Sequence, residues 1–413
     1  MSNEGMTGMT GMTGMTRMTR MTTRSMTRGV VVAGVVLGLA LTGCTESRAG
    51  TPTTTVTGAA LDRSLAELVA MPGGPPGVIA MVQVGDHVTV HVAGVAKVGT
   101  STPPAPDDYM RIASVSKAFS GATALALVDK GTLSLDDSIG KLLPTEPSAW
   151  AEVTLRQLLN HTSGLPDFTH SPGLQGAALK SLDVSPSPRQ LLTYVADQPL
   201  NFPPGSQYLY SNSDNIAVGL MIESATGKPY EESLQKLVLD PLKLTSTSLP
   251  KGTDISKPTF RGYGLDEPHT PSDQTTVLAA GWAWASGGIV STPADLNKFI
   301  RGYVGGRLFG ARTRAMQTDL FIPGGESGPP GPGLNSASIA LYRYKTPCGV
   351  VYGHTGNTLG YTQFAAASPD GTRSATVSIN LALNENSTGQ AVEVLNALRE
   401  AEAAAACMAL DGL

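Results

Sequence analysis

Ser114 and Lys117 stand three residues apart in the run from Arg111 to Gly131, which reads Arg-Ile-Ala-Ser-Val-Ser-Lys-Ala-Phe-Ser-Gly before an Ala- and Leu-rich stretch. From Ser114 onward the run lacks proline, is apolar on nearly every face and stops at Gly131, so it predicts a buried helix with a glycine cap. Residues three apart project from one face of the first turn. A hydroxyl and an amine are then side by side where free backbone N–H groups and the positive dipole end favour a developing anion. A serine nucleophile with a lysine partner needs that arrangement. The spacing alone also fits a polar first turn whose lysine reaches solvent. Ser138 to Lys141 and Ser248 to Lys251 repeat it, but Gly140 and Pro250 interrupt those two segments.

Two further groupings carry chemistry. Tyr210-Ser211-Asn212 follows Pro203-Pro204-Gly205 and is the one Tyr-x-Asn in the chain. A phenol and a lysine amine have reference pKa values near ~10 and ~10.4, so neighbouring positive charge lets them share a proton. Asn212 offers a carbonyl and an amide to orient Lys117 and a substrate amide, or it serves simply as a helix cap. His354-Thr355-Gly356-Asn357 follows the β-rich Val350-Val351-Tyr352. A glycine at a strand edge lets a substrate backbone approach and pair, His354 would line the cleft, and the N–H groups of Asn357 and Ser114 could form an oxyanion pair.

Taken in order, the three groupings resemble the penicillin-recognising serine hydrolases, which include class C β-lactamases, D-alanyl-D-alanine carboxypeptidases and related esterases. The likeness covers nearly all of residues 55–408. It extends to Leu158-Leu159-Asn160-His161-Thr162-Ser163-Gly164-Leu165, to Gly131 through Asp137, and to Ser286 through Leu296. The resemblance implies Ser114 as acylated nucleophile, Lys117 and Tyr210 as proton-transfer partners, Asn212 as substrate and lysine ligand, and His354, Thr355 and Gly356 as the third motif. His161 belongs to a signature and is read as structural. Histidine in place of the usual lysine of the third motif is similar to the secreted Streptomyces type of D-alanyl-D-alanine carboxypeptidase. That type has cysteines matching Cys348 and Cys407, a carboxylate-binding arginine matching Arg343 when offset by one residue, and a cleft-wall tryptophan matching Trp282. Asn357 replaces the usual hydroxyl residue there, which bears on peptide specificity.

The elements that must position these residues alternate in kind. Ala59 to Met71 is predicted helical, and Gly77 to Val84 and Val88 to Val95 form a hairpin around Gly85-Asp86. Helices follow at Leu155–Asn160, Pro188–Ala196, Asn215–Ala225 and Tyr230–Leu237, separated by Pro- and Gly-rich loops. Strands return at Ser338–Tyr344, Gly349–Thr355, Tyr361–Ala367 and Arg373–Asn380, and a helix from Thr388 to Met408 closes the chain. Two early strands are too few to stand alone. The economical fold is α/β (α+β), and the resemblance implies its β-lactamase/transpeptidase-like form. An antiparallel sheet built from 59–112 and 281–413 is flanked by the terminal helices, with a mostly helical domain at 113–280 inserted. The cleft would lie between the lobes, and Gly324 to Gly333 reads as a surface loop.

The chain has 413 residues, 41% hydrophobic and 15% charged, an ordinary globular balance. A low-complexity Met-Thr repeat opens it, and the true start could be Met21 or Met26. Arg17, Arg20, Arg24 and Arg28 precede an apolar run from Val30 to Leu41 that suits a secretory signal. Leu41-Thr42-Gly43-Cys44 resembles the bacterial lipoprotein box, which implies cleavage after residue 43, a lipid anchor on Cys44 at the outer face of the cytoplasmic membrane, and a flexible spacer over 44–58. An ordinary signal peptide with an incidental cysteine is the alternative. Loss of 1–43 removes four arginines and one glutamate, which takes the formal net charge from −4 to −7. Such a surface is not built for nucleic acid. Cys348 and Cys407 remain, an even pair that suggests one disulfide in an oxidising compartment. No zinc-like cysteine and histidine spacing occurs, so neither metal nor cofactor is expected. The expected partner is a cell-wall peptide or β-lactam, and the expected state is a monomer.

Overall fold

Val78, Ala80 and Val82 pack on one face of the strand Gly77–Val84, while Ile79 between them joins the core on the other. A strand apolar on both sides must be covered on both sides. The computed structural model, which describes residues 56–178, 181–266, 270–325, 327–383 and 387–412, shows what covers it. This strand is second in an eight-stranded antiparallel sheet. The order across the sheet is His87–Gly94, Gly77–Val84, Arg373–Ile379, Tyr361–Ala367, Gly349–Thr358, Leu341–Thr346, Ser336–Ser338 and Ile322–Pro323.

Both ends of the chain build the sheet, as expected, but there are eight strands rather than six. Ala340, at φ 54, turns the chain back at Ile339-Ala340, so the run Ser338 to Tyr344 is divided between two strands. The edge strand Ile322–Pro323 is two residues long and contains a proline, which lacks the N–H a central strand would use.

One face carries the terminal helices. Gly58–Ala70 is capped by the Thr57 hydroxyl, which accepts the Ala60 N–H at 3.3 Å, and its buried stripe is Leu61, Leu65 and Leu68. Gln390–Asp411 lies on the same core, and the Cys348–Cys407 disulfide, with Cα atoms 5.2 Å apart, ties it to the turn before Gly349–Thr358. On the other face Pro293–Val304 lies on the sheet, and Ser116–Asp129 and Asn212–Thr226 join it in one core, where Phe119 and Phe299 stack with centroids 3.5 Å apart. Helix boundaries move in two places that matter. Ser114 sits in a 3₁₀ turn, Ala113–Val115, that runs into the α-helix Ser116–Asp129, and Asn212 is the first residue of its helix, three residues earlier than expected.

Gly324 to Gly333 is more than a surface loop. Cβ atoms at Gly324, Gly325 and Gly328 would lie 2.6, 2.3 and 2.1 Å from the rings of Tyr208, Tyr342 and Tyr344, so those glycines lie flat on tyrosines as only glycine can. Among the described residues no helix is long and apolar enough to cross a membrane. The signal segment, Cys44 and most of the spacer lie outside the described residues.

Candidate active site

Ala113 has φ 50, a left-handed conformation that alanine disfavours, immediately before Ser114. His161, Trp284 and Ala340 also have positive φ, as does Lys243, which caps the short helix Asp240–Leu242. His161 and Ala340 line one small cavity with Lys117, and Trp284 stands two residues before Ser286, whose carbonyl Lys117 bonds. Strain of this kind persists only where surrounding packing enforces it, and it gathers here around one group of side chains.

That group is Ser114, Lys117, Tyr210 and Asn212. Lys117, 1% exposed, places Nζ 2.7 Å from Asn212 Oδ1, 2.7 Å from the Ser286 carbonyl oxygen and 3.1 Å from Ser114 Oγ. The Tyr210 hydroxyl donates to Ser114 Oγ at 2.8 Å, and Lys117 Nζ lies 4.8 Å from the Tyr210 ring centre. Burial lowers the Lys117 pKa to about 7, against the opposing pull of the Asp167 and Asp214 carboxylates. Two carbonyl oxygens at 2.7 Å can only accept, so in the deprotonated form they take the two amine hydrogens and the lone pair faces the serine hydroxyl.

The third motif meets this group through the backbone. Pairing with Leu341–Thr346 ends at Gly353↔Tyr342, so from His354 to Thr358 the strand is paired only on its Tyr361–Ala367 side. Its other edge runs beside the Ser114 turn. A Cβ at Gly356 would come within 2.6 Å of the Ile112 carbonyl oxygen and 2.9 Å of the Ser114 nitrogen. His354 is buried and lines the same small cavity, of about 10 Å³, as Lys117. Its Nδ1 lies 2.5 Å from the Thr355 carbonyl oxygen, which fixes the proton on Nδ1, and burial lowers its pKa to about 3. His354 is therefore neutral at pH 7, with Nε2 an acceptor. The Thr355 hydroxyl pairs with Ser327 Oγ at 2.6 Å, and the Asn357 amide nitrogen donates to Thr362 Oγ1 and the Leu383 carbonyl.

Two carboxylates that the sequence did not single out, and one backbone carbonyl, hold these in place. Asp167 Oδ2 accepts both the backbone N–H and the side-chain amide of Asn212, each at 2.9 Å. Asp214 receives the Ser163 hydroxyl at 2.5 Å and lies 2.8 Å from His161 Nδ1. Burial pushes the Asp214 carboxyl well above the usual range and lowers His161 to about 3. The His161 ring packs 4.6 Å from that of Tyr210. The third is Ser286, acting through its carbonyl. Proximity to the Ser-Gly-Leu-Pro-Asp run was the one available signal for Asp167.

Arg343 and Trp282 have other neighbours. Arg343 pairs with Tyr352, stacks 4.0 Å over the Phe321 ring and donates to Ser336 Oγ at 3.2 Å. Trp282 lines a different cavity, of about 670 Å³, with Pro172, Ala177, Val184 and Tyr194. The other Ser-x-x-Lys pairs do not form a site. Ser138 caps the Lys141 N–H while Lys141 bonds Asp137, Ser248 and Lys251 are both exposed, and in a further pair Ser233 is buried while Lys236 is exposed.

A family model described as Beta-lactamase matches residues 61–403, most of the chain. The chain belongs to the beta-lactamase family. Members are serine hydrolases, and this beta-lactamase-family chain has the mixed α/β fold with an antiparallel sheet expected of the group. It is 28% identical over 256 residues to the D-alanyl-D-alanine-carboxypeptidase/endopeptidase AmpH of Escherichia coli K12, covering 60% of this chain and 63% of that protein. It is 28% identical over 173 residues to penicillin-binding protein 4* of Bacillus subtilis, covering 41% of this chain and 37% of that one. The match thus spans under two thirds of the length of these curated relatives. Among solved structures, a D-stereospecific amidohydrolase from Streptomyces aligns with TM-score 0.70 and 28% identity, over 82% of this chain and 98% of that one.

Proposed function

We propose that the protein is a serine hydrolase that works through an acyl-enzyme at Ser114 and acts as a D-alanyl-D-alanine carboxypeptidase on cell-wall peptides, with β-lactams as acylating mimics. The observation that carries this is the place of the Lys117 nitrogen, 2.7 Å from both Asn212 Oδ1 and the Ser286 carbonyl oxygen and 3.1 Å from Ser114 Oγ, so that once deprotonated it turns its lone pair to the Ser114 hydroxyl. Ser114 Oγ attacks the carbonyl carbon as its proton passes to Lys117 Nζ. The oxyanion that forms sits between the N–H of Ser114 and that of Asn357. As the C–N bond breaks, the proton moves from Lys117, by way of the Tyr210 hydroxyl, to the leaving nitrogen, and water then cleaves the ester. His354, neutral, takes no part as an acid at pH 7.

A second reading, an amidase for D-amino acid amides, is favoured by the place of Arg343, which stacks on Phe321 beside Tyr352. A carboxypeptidase needs a partner for the terminal carboxylate, and an amidase does not. The likeness to the Streptomyces amidohydrolase points the same way. Rates of release from a D-alanyl-D-alanine peptide and from a D-amino acid amide, compared on one preparation, decide between them. Faster release of D-alanine supports the carboxypeptidase, faster release of ammonia supports the amidase, and release from neither, or from the L-isomers equally, overturns both. We further propose export with a lipid anchor on Cys44 at the outer face of the cytoplasmic membrane, and a monomeric enzyme.

A further inference from the structure

We propose that Asp167 is a positioning residue of this site, a carboxylate that locks the Asn212 side chain so that its carbonyl must face Lys117. The inference rests on the acyl-enzyme reading above. An asparagine amide can turn over, exchanging oxygen and nitrogen with little change of shape. Here both ends are specified. Asp167 Oδ2 only accepts, so the group facing it must be the NH₂, and its 2.9 Å contact to Nδ2 is matched by a second 2.9 Å contact from the Asn212 backbone N–H. Lys117 Nζ then meets Oδ1 at 2.7 Å. In the turned-over amide, an oxygen would face a carboxylate and an NH₂ would face an amine, so both contacts would become repulsive.

Asp167 itself is immobilised. Its other oxygen, Oδ1, accepts the Thr169 N–H at 2.9 Å and the Thr169 hydroxyl at 2.8 Å, capping the 3₁₀ turn Phe168–His170. Each carboxylate oxygen thus takes two donors, and the residue joins a rigid turn to the first residue of the Asn212–Thr226 helix. The groups facing Lys117 are Asp167, Asp214, Tyr210, His161 and His354. Of these, Asp167 is the one that also bonds the Asn212 amide. Its negative charge stabilises the protonated amine, opposing the burial of Lys117. Asp167 therefore has two separable effects, one on where Asn212 points and one on the pH at which Lys117 gives up its proton.

The test is the rate of acylation of the full-length protein by a fluorescent penicillin between pH 5 and 9, for wild type, Asp167→Asn, Asn212→Ala and the double variant, with a melting curve for each. Asp167→Asn should move the acid limb of the profile to lower pH by on the order of one pH unit, because the amine loses a stabilising anion. Its plateau rate should fall about 10- to 100-fold, as expected for a misplaced orienting group. In the Asn212→Ala background the plateau loss should vanish while the shift of the limb remains. A limb that stays at the wild-type pH, or losses that simply add in the double variant, would overturn the proposal even if every melting curve is normal. A variant that melts early but keeps the wild-type limb also overturns it, since a purely structural role moves only amplitude. Absence of Ser114 labelling in the wild type would instead remove the acyl-enzyme reading, and this inference with it.

Discussion

Gly356 stands so close to Ser114 that a Cβ added at 356 would lie 2.9 Å from the Ser114 backbone nitrogen and 2.6 Å from the Ile112 carbonyl oxygen. Both are backbone atoms, held by the strained turn at Ala113, and cannot step aside as a flexible side chain can. Gly356→Ala must therefore push the strand and the nucleophile turn apart. The expected outcome is a fall in acylation rate of about 100-fold or more in a protein whose circular dichroism is unchanged, and near-normal acylation would show that the two backbones are free to separate.

Acylation should rise with pH through about 7, the value to which burial lowers Lys117. Below it the amine is an ammonium and cannot accept the Ser114 proton, whereas above it the lone pair is free. A pH profile of the acylation rate checks this. A rate that is flat from pH 5 to 8 would assign the proton to another group. Lys117→Ala and Tyr210→Phe should each slow acylation by orders of magnitude, and the double variant by less than the product, because groups that pass one proton act as a unit.

The disulfide between Cys348 and Cys407 closes a span of 59 residues. Chain-entropy reasoning gives on the order of 4 kcal/mol for such a loop, an upper figure. Cys407→Ser should lower the melting temperature and also slow acylation, since the bridge ties the closing helix to the strand that carries His354 and Gly356. A non-reducing peptide map and paired melting curves measure both.

Glu402 in the closing helix is 2% exposed, and its Oε2 has no hydrogen-bond partner. Burial raises its carboxyl well above the usual range. The folded state thus keeps a proton that the unfolded chain releases near 4.5, so this group's contribution to stability is full below that pH and falls as pH rises above it. Glu402→Gln should remove that slope and raise the melting temperature at pH 7 to 8. An unchanged pH dependence of melting in the variant would contradict the account.

Cys44 should carry lipid in membrane fractions of a producing bacterium. Intact mass and N-terminal sequencing check this, and an unmodified Cys44 or a start downstream of it would rule the anchor out.

What could be read in the sequence followed local rules. Ser114 and Lys117 obey the helical i, i+3 neighbourhood, and the hairpin at Gly85 and the alternation of Val78 to Val82 obey the strand period. Asp167, Asp214 and the Ser286 carbonyl could not be read this way. Each reaches the site from a loop or helix 50 or more residues from Ser114, and only folding decides which carboxylate meets which amide. The positive φ of Ala113 and Ala340 leaves no mark, because alanine is no turn residue. The edge strand Ile322–Pro323 is too short to show a period. Arg343 and Trp282 are carried over by likeness rather than by any local rule, and the neighbours found for them are Phe321, Ser336 and Tyr352 for the one and the cavity lined by Pro172 and Tyr194 for the other.

The most direct measurement of the central claim is intact mass followed by peptide mapping after exposure to penicillin, for wild type and Ser114→Ala. The account predicts a single adduct of the mass of the opened β-lactam, on the peptide containing Ser114 in the wild type and absent from the variant, which keeps its fold because only one hydroxyl is lost. An adduct that persists in Ser114→Ala, or that maps to Ser138, Ser233 or Ser248, would contradict it.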